Sequence, residues 1–296
     1  MSLINTNLSS LNAQNNLSKS QASLATSMQR LSSGLRVNSS KDDAAGLSIA
    51  TKMDAQIRGM SQAVRNANDG ISLAQTKDGA LSTATDVMQR MRELAVQGAN
   101  GTNTATDSAS LNKEFTALGL EVARIATDTK FNNTAVLDST SVPTNILVGA
   151  NANQVIAIPA SNFQAVALTV TASACTLDST AAAAGAAATA TTPSTTTVLA
   201  TSQANANTAL STLDAALTSV NTMRADLGAV ENRLGYAVSN LQNSAENQSA
   251  AKSRIMDTDF AVETANLSRA QVLQQAGTAM VAQANQLPQG VMALLK

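Results

Sequence analysis

Large apolar side chains recur every seven residues at both ends of this chain, and that spacing constrains the fold more than any other feature. Leu17, Leu24 and Leu31 are followed four residues later by Gln21, Met28 and Leu35. Alternating steps of four and three draw one stripe along a helix, the seam by which it lies against another helix. The far end repeats the device with Phe260 and Leu267, then Leu273, Met280 and Leu287, interleaved with the small residues Ala270, Gly277 and Ala284. Pro288 is expected to stop the run. The chain thus begins and ends with amphipathic helices. A helix of about 30 residues is ~45 Å long, and one stripe on such a rod cannot bury itself. Both ends are therefore expected to need partners and to gain order when copies associate.

Between the ends, Ser40 and Asp43 have the spacing of a capping box ahead of Leu47, Ile49 and Met53, which predicts a helix break and restart. From Asp43 to Gly98 the pattern is helical, and Asp69-Gly70 and Asp78-Gly79 read as glycines tolerated inside one long helix. Asn100-Gly101-Thr102-Asn103 supplies a turn, and a second helix from Asp107 to Thr127 carries Leu111, Phe115, Leu118, Val122 and Ile125 on one face. The period then shortens to two. Asn145 to Val148 and Gln154 to Ile158, joined by Gly149-Ala150-Asn151-Ala152-Asn153, predict a β-hairpin. Residues 161–202, rich in Thr, Ala and Ser, read as a short surface insert. Helical spacing returns from Gln203 to Ala251 through Leu210, Leu213, Leu217, Val220, Met223, Leu227, Val230, Leu234, Val238 and Leu241. The expected fold is mainly α: a long helical bundle or coiled coil built from the N- and C-terminal halves, with a small β-hairpin region. Its expected domains are 1–42 with 253–296 as a terminal coiled coil, 43–160 with 203–252 as a helical core, and 161–202 as the insert.

Composition removes whole classes of chemistry. Nineteen basic against twenty acidic residues give a net charge of -1, with 13% charged and 2% aromatic residues, so neither nucleic acid nor a membrane surface is an expected partner. There is no histidine, which withdraws Ser-His-Asp triads and His-ligated zinc, and the single Cys175 cannot close an internal disulfide. No glycine-rich nucleotide cradle is present. Asp42/Asp43 and Asp257/Asp259 read as helix-start acids or solvated charges rather than acid-base pairs. Arg90, Arg92 and Glu93, on the helix bearing Met88, Met91, Leu94 and Val96, read as a solvated face. The expectation is a structural protein: no enzyme, no cofactor, no metal. The opening Met1-Ser2-Leu3-Ile4-Asn5 has neither the basic nor the apolar region of a cleaved signal.

Four segments, in order and at both ends, closely resemble the bacterial flagellin family. They are Leu31-Ser32-Ser33-Gly34-Leu35-Arg36-Val37-Asn38, Lys41-Asp42-Asp43-Ala44-Ala45-Gly46, Met88-Gln89-Arg90-Met91-Arg92-Glu93-Leu94-Ala95-Val96-Gln97 and Ser268-Arg269-Ala270-Gln271-Val272-Leu273-Gln274-Gln275-Ala276-Gly277. The resemblance spans about residues 1 to 160 and 203 to 296, and the short tract between suggests a form without large outer domains. It implies a subunit that polymerises into the flagellar filament, the helical propeller of swimming, with paired terminal helices forming an inner tube. It also implies export without a cleaved signal through the flagellar type III apparatus to an extracellular filament. Implied partners are other copies of itself, an export chaperone, the filament cap protein, the hook-filament junction protein, and host Toll-like receptor and inflammasome sensors. Arg90, Leu94 and Glu114 match family positions touched by the Toll-like receptor, and Met292, Leu294 and Leu295 match the C-terminal residues read by inflammasome sensors, Met292 replacing a more usual leucine. Subunit packing falls to Leu17, Leu24, Met28, Leu31, Leu35, Phe260, Leu267, Leu273, Met280 and Leu287. A hook-filament junction protein shares the terminal helices, but the match around Arg90 and Gln274-Gln275-Ala276-Gly277 favours flagellin.

Overall fold

The structure, a computed structural model, describes residues 7–138, 141–174 and 195–293, with side chains omitted at 171–174, 195–202 and 287–293. Among the described residues, six helices and four short strands follow in the order α1 (Leu8–Ser33), α2 (Ala44–Gly98), α3 (Ala105–Asp128), β1 (Lys130–Phe131), β2 (Thr134–Ala135), β3 (Thr144–Leu147), β4 (Val155–Ile158), α4 (Phe163–Ala174), α5 (Thr195–Met256) and α6 (Phe260–Ala293). The chain divides into two compact units, residues 1–58 with 244–296 and residues 59–243.

The break between α1 and α2 has a local cause at each side. Asn7 caps α1 by accepting from the Ser10 N–H, and Gly34 closes it in the left-handed conformation, φ 71°, with its N–H on the Arg30 carbonyl. Restart falls to Asp43, whose Oδ1 accepts from Gly46 N at 2.8 Å, while Asp42 Oδ2 gathers donors from Asn38, Ser39 N and Ser39 Oγ. Those bonds hold the Asp42 carboxyl below its usual range, the Ser39 hydroxyl contributing most. The cap is therefore Asp43, one residue before the helix, rather than a box opened by Ser40.

Residues 59–243 form a helical core around α2 and α5. On α2 the buried positions Met60, Ala63, Ala67, Gly70, Ala74, Lys77, Leu81, Ala84, Met88, Met91 and Ala95 keep to threes and fours, with Leu73, Thr85 and Leu94 buried beside them. On α5, Ala206, Ala209, Leu213, Ala216, Val220, Leu227, Val230, Leu234 and Leu241 do the same, with half-buried Met223 and Val238 between them. Phe115, Val122 and Ile125 of α3 join this core, with Leu111 and Leu118 packed at its edge. Asp69-Gly70 and Asp78-Gly79 lie within α2, as the sequence predicts. Lys77 occupies a core position of the repeat, 1% exposed, its Nζ donating to the Pro159 carbonyl at 3.3 Å. Burial pushes its pKa below the ordinary 10.5.

The expected hairpin is β3 paired antiparallel with β4, Thr144 opposite Ile158 and Leu147 opposite Val155. Ile156 and Ile158 point into the core while Val155 faces out. A second hairpin, β1 with β2, turns on Asn132 (φ 47°) and Asn133 (φ 63°), both left-handed as a two-residue turn of the primed type requires.

Several sequence-based boundaries change. The tract from 161 does not begin as a surface insert: α4 starts at Phe163, and Phe163, Ala167 and Val170, spaced four and three apart, are fully buried in the core. α5 starts at Thr195 and ends at Met256, longer at both ends than the predicted 203–251. Within the unit that holds residues 1–58 and 244–296, Lys252 pairs with Asp54 and Gln248 with Gln56 across α5 and α2. The α6 helix also runs through Pro288 to Ala293; the Ala284 carbonyl, which loses its N–H partner at Pro288, accepts from Asn7 Nδ2 at 2.7 Å. Cys175, the Ala181-to-Gly185 stretch, Leu294 and Leu295 lie outside the described residues.

Candidate assembly surface

Within residues 1–58 and 244–296, α1 and α6 lie antiparallel. Asn7 Nδ2 donates to the Ala284 carbonyl at 2.7 Å, Ser10 Oγ to Asn285 Oδ1 at 2.7 Å, Leu17 crosses Gly277, and Arg30 stands 3.9 Å from Glu263. Beyond the helix ends Leu35 bridges Asp257, with Arg36 N on the Met256 carbonyl at 2.6 Å and Thr258 N on the Gly34 carbonyl at 3.0 Å.

The seam alternates a few leucines with small residues. On α1 the covered positions are Ser10, Ala13, Leu17, Ser20, Leu24, Ser27 and Leu31, and on α6 Glu263, Leu267, Ala270, Gln274, Gly277, Val281 and Ala284. Leu17 and Leu24 are thus each followed by a covered serine three residues on, Ser20 and Ser27, not by the residue four on. Gln21 and Met28 turn outward, Met28 with 57% of its surface exposed. The register differs from the sequence expectation because serine is small enough to let the backbones close up, and Ser10 and Ser27 are buried where a methionine would not fit.

What the seam rejects stays on the outside. Phe260, Leu273 and Met280 are 55%, 51% and 64% exposed, and Val262 and Val272 join them on α6, as Leu8 and Leu11 join Met28 on α1. Val262, Leu273 and Met280, eleven and seven residues apart, share one flank of α6 beside the seam. Of the ten predicted packing residues, Leu17, Leu24, Leu31, Leu35 and Leu267 are half-buried within this chain. Met28, Phe260, Leu273 and Met280 face solvent, and the Leu287 side chain is outside the described set. Exposed apolar stripes of this extent on a helix pair are what a monomer avoids and an assembling subunit needs.

A groove of about 810 Å³ runs between the same helices, with Lys19, Arg30, Arg269 and Glu263 on its walls. Its charges are arranged loosely. Glu263 is buried yet no closer than 3.9 Å to Arg30, whose Nε has no acceptor among the described residues. No cluster of His, Cys, Asp or Glu able to hold a metal occurs among the described residues, and no helix there is long and apolar enough to cross a membrane.

The residues singled out on α2 and α3 form a separate charged patch. Arg90 bonds Glu93 Oε2 at 2.9 Å and Glu114 Oε1 at 3.0 Å, and these bonds, Glu93 first, push its guanidinium further above its ordinary pKa. Arg92 does the same with Asp214 of α5 at 2.8 Å. Leu94 does not share this surface. At 2% exposure it belongs to the core, while its neighbour Val96 is exposed. Arg90 and Glu114 are therefore brought together, and Leu94 stands behind them as packing. Because these ion pairs are exposed, Arg92→Ala is expected to leave the thermal midpoint essentially unmoved, which a melting curve checks.

Comparison with known proteins agrees with this architecture. Residues 4–141 match the model of the bacterial flagellin N-terminal helical region, and residues 210–295 that of the C-terminal helical region. Flagellin of Halalkalibacterium halodurans is 43% identical over 294 residues, covering 99% of this chain and all of its relative. Flagellin of Xenorhabdus nematophila is 46% identical over 311 residues, covering 100% of this chain and 99% of that one. Flagellin of Bacillus subtilis is 41% identical over 305 residues, covering 99% of both. Helix pair, exposed stripes, matched regions and full-length similarity lead to one conclusion: this chain belongs to the bacterial flagellin family, structural subunits of the flagellar filament rather than enzymes.

Proposed function

We propose that copies of this chain pack into the filament through the exposed flanks of α1 and α6, with the α1/α6 pairs forming its inner tube. The observation that carries this reading is the exposure of Phe260, Leu273 and Met280 on a helix pair that already has its own seam. The ten packing residues then divide the work. Leucines at 17, 24, 31 and 267 hold α1 to α6, Leu35 ties the end of α1 to Asp257, and Met28, Phe260, Leu273, Met280 and Leu287 meet neighbouring copies. Polymerisation is tested with Leu273→Ser and Met280→Ser, both exposed here. The doubly substituted chain is expected to keep its helix content and lose filament growth in electron micrographs of concentrated protein. Filaments of normal length from that chain would refute the reading, and a short ring in place of wild-type filaments would point to a junction protein.

The same reading takes the subunit outside the cell through the flagellar type III apparatus, held beforehand by an export chaperone at its C-terminal helix, then added beneath a cap protein on a base of hook-filament junction protein. In an animal host, the Arg90-Glu114 patch meets the Toll-like receptor that senses flagellin, and Met292, Leu294 and Leu295 meet inflammasome sensors. Given the burial of Leu94, its part in receptor binding is to hold α2 beneath Arg90. Arg90→Ala is expected to weaken receptor signalling by soluble monomer while leaving the melting curve unchanged, and Leu94→Ala to weaken signalling and stability together. Undiminished signalling by both would remove the assignment.

A further inference from the structure

Three described positions put a glycine directly after an aspartate or asparagine: Asp69-Gly70, Asp78-Gly79 and Asn100-Gly101. Such a pair is reactive because no Cβ shields the glycine nitrogen, which can attack the Cγ of the preceding residue and close a five-membered ring. The first two pairs lie inside α2, where each glycine N–H is engaged by the carbonyl four residues back and the backbone is fixed.

Asn100 is placed differently. It is exposed just beyond the end of α2, and its backbone is pinned on both sides, N to the Gln97 carbonyl at 3.2 Å and carbonyl to Asn103 N at 3.3 Å. Its side-chain Oδ1 accepts from Thr102 N at 3.4 Å. That bond folds the carboxamide back over the peptide of Gly101, which is also exposed and whose N–H has no acceptor among the described residues. The attacking nitrogen is thus free and beside its target. A donor already points at the oxygen on which negative charge develops during attack, the arrangement that lowers barriers in acyl chemistry.

We propose that Asn100-Gly101 is a site of intramolecular deamidation. The Gly101 nitrogen gives its proton to solvent and bonds to Asn100 Cγ; the Cγ–Nδ2 bond breaks and Nδ2 leaves as ammonia, forming a succinimide. Water then opens the ring at either carbonyl, giving aspartate or isoaspartate, so that the net exchange is water in and ammonia out with no redox change. Aspartate adds a negative charge at the C-terminal end of α2, where the helix dipole opposes it. Isoaspartate inserts a methylene into the α2-α3 turn, which Asn103 Nδ2 otherwise braces against the Gln97 carbonyl at 2.6 Å.

The test holds the purified full chain at mildly alkaline pH, folded and in guanidinium, and follows each asparagine by tandem mass spectrometry with isoaspartyl methyltransferase labelling. Asn100 is expected to convert ahead of every other described asparagine, at least as fast folded as denatured, with Asp69 and Asp78 unchanged in the folded chain. Gly101→Ala is expected to slow conversion by about tenfold or more, the factor that ~1.4 kcal/mol of barrier represents. Slower conversion in the folded chain than in guanidinium, or an unchanged rate in Gly101→Ala, overturns the proposal.

Discussion

Lys77→Met is expected to stabilise the 59–243 unit by about 1–3 kcal/mol, since a buried ion replaced by an apolar side chain of similar length sheds its desolvation penalty. A domain of 150–250 residues gains about 2–4 °C in melting temperature for each such kcal/mol. The Nζ has the Pro159 carbonyl at 3.3 Å and no carboxylate within salt-bridge distance among the described residues, because the adjacent Asp78 turns to Arg224 at 2.8 Å. A pH series separates this cause from simple repacking. The folded pKa lies below the unfolded 10.5, so at low pH both states hold the proton and the penalty is complete. As pH climbs through the folded pKa the folded chain releases its proton while the unfolded chain keeps it, and stability rises until 10.5 is passed. Denaturant midpoints of wild type are therefore expected to approach those of Lys77→Met as the solution becomes alkaline. Parallel pH profiles for the two chains would show that the buried charge is not what separates them.

Gly277 gives the second large effect. A Cβ there would stand 3.1 Å from Leu17 Cδ1, and 3.7 Å and 3.9 Å from Leu17 Cβ and Cα. Alanine asks only the tip of a flexible leucine to move and gains helix propensity of roughly 0.5–1 kcal/mol, so Gly277→Ala is expected to be neutral or mildly stabilising. Valine drives methyl groups toward the Leu17 backbone, and Gly277→Val is expected to cost about 1–3 kcal/mol by overpacking. The measurements are helix melting and the concentration needed for filament growth. Leu17→Ala should restore growth to Gly277→Val by vacating the space. A valine chain that polymerises as readily as wild type would show that α1 and α6 do not meet at this crossing when assembled.

Much of this fold is legible in the sequence, and the exceptions share a cause. Leu17, Leu24 and Leu31 announce the α1 seam, but the alternate positions are filled by Ser20 and Ser27, which carry no hydrophobic signal, so the step after each leucine reads equally as three or four. Met28 wins that reading on hydrophobicity and loses it on size. Phe163, Ala167 and Val170 do carry helical spacing, yet the Thr- and Ala-rich residues following them mask it, and α4 reads as surface. Asn132-Asn133 signals a tight turn, but strands of two residues leave no period to detect. Lys77 sits in the apolar repeat as a charge, which pattern alone assigns to solvent. For the receptor positions, resemblance identifies Arg90, Leu94 and Glu114 together, and only burial separates the two that reach the surface from the one that does not.

The serine-for-leucine alternation along α1 has a mechanical consequence. Interlocking by bulky knobs resists axial sliding because each knob must climb out of its hole, whereas hydroxymethyl and hydrogen side chains leave shallow corrugations. Between the leucine knobs, Ser20, Ser27, Ala270 and Gly277 leave the facing surfaces shallow, so resistance to axial sliding of this pair is expected to rest on Leu17, Leu24, Leu31 and Leu267.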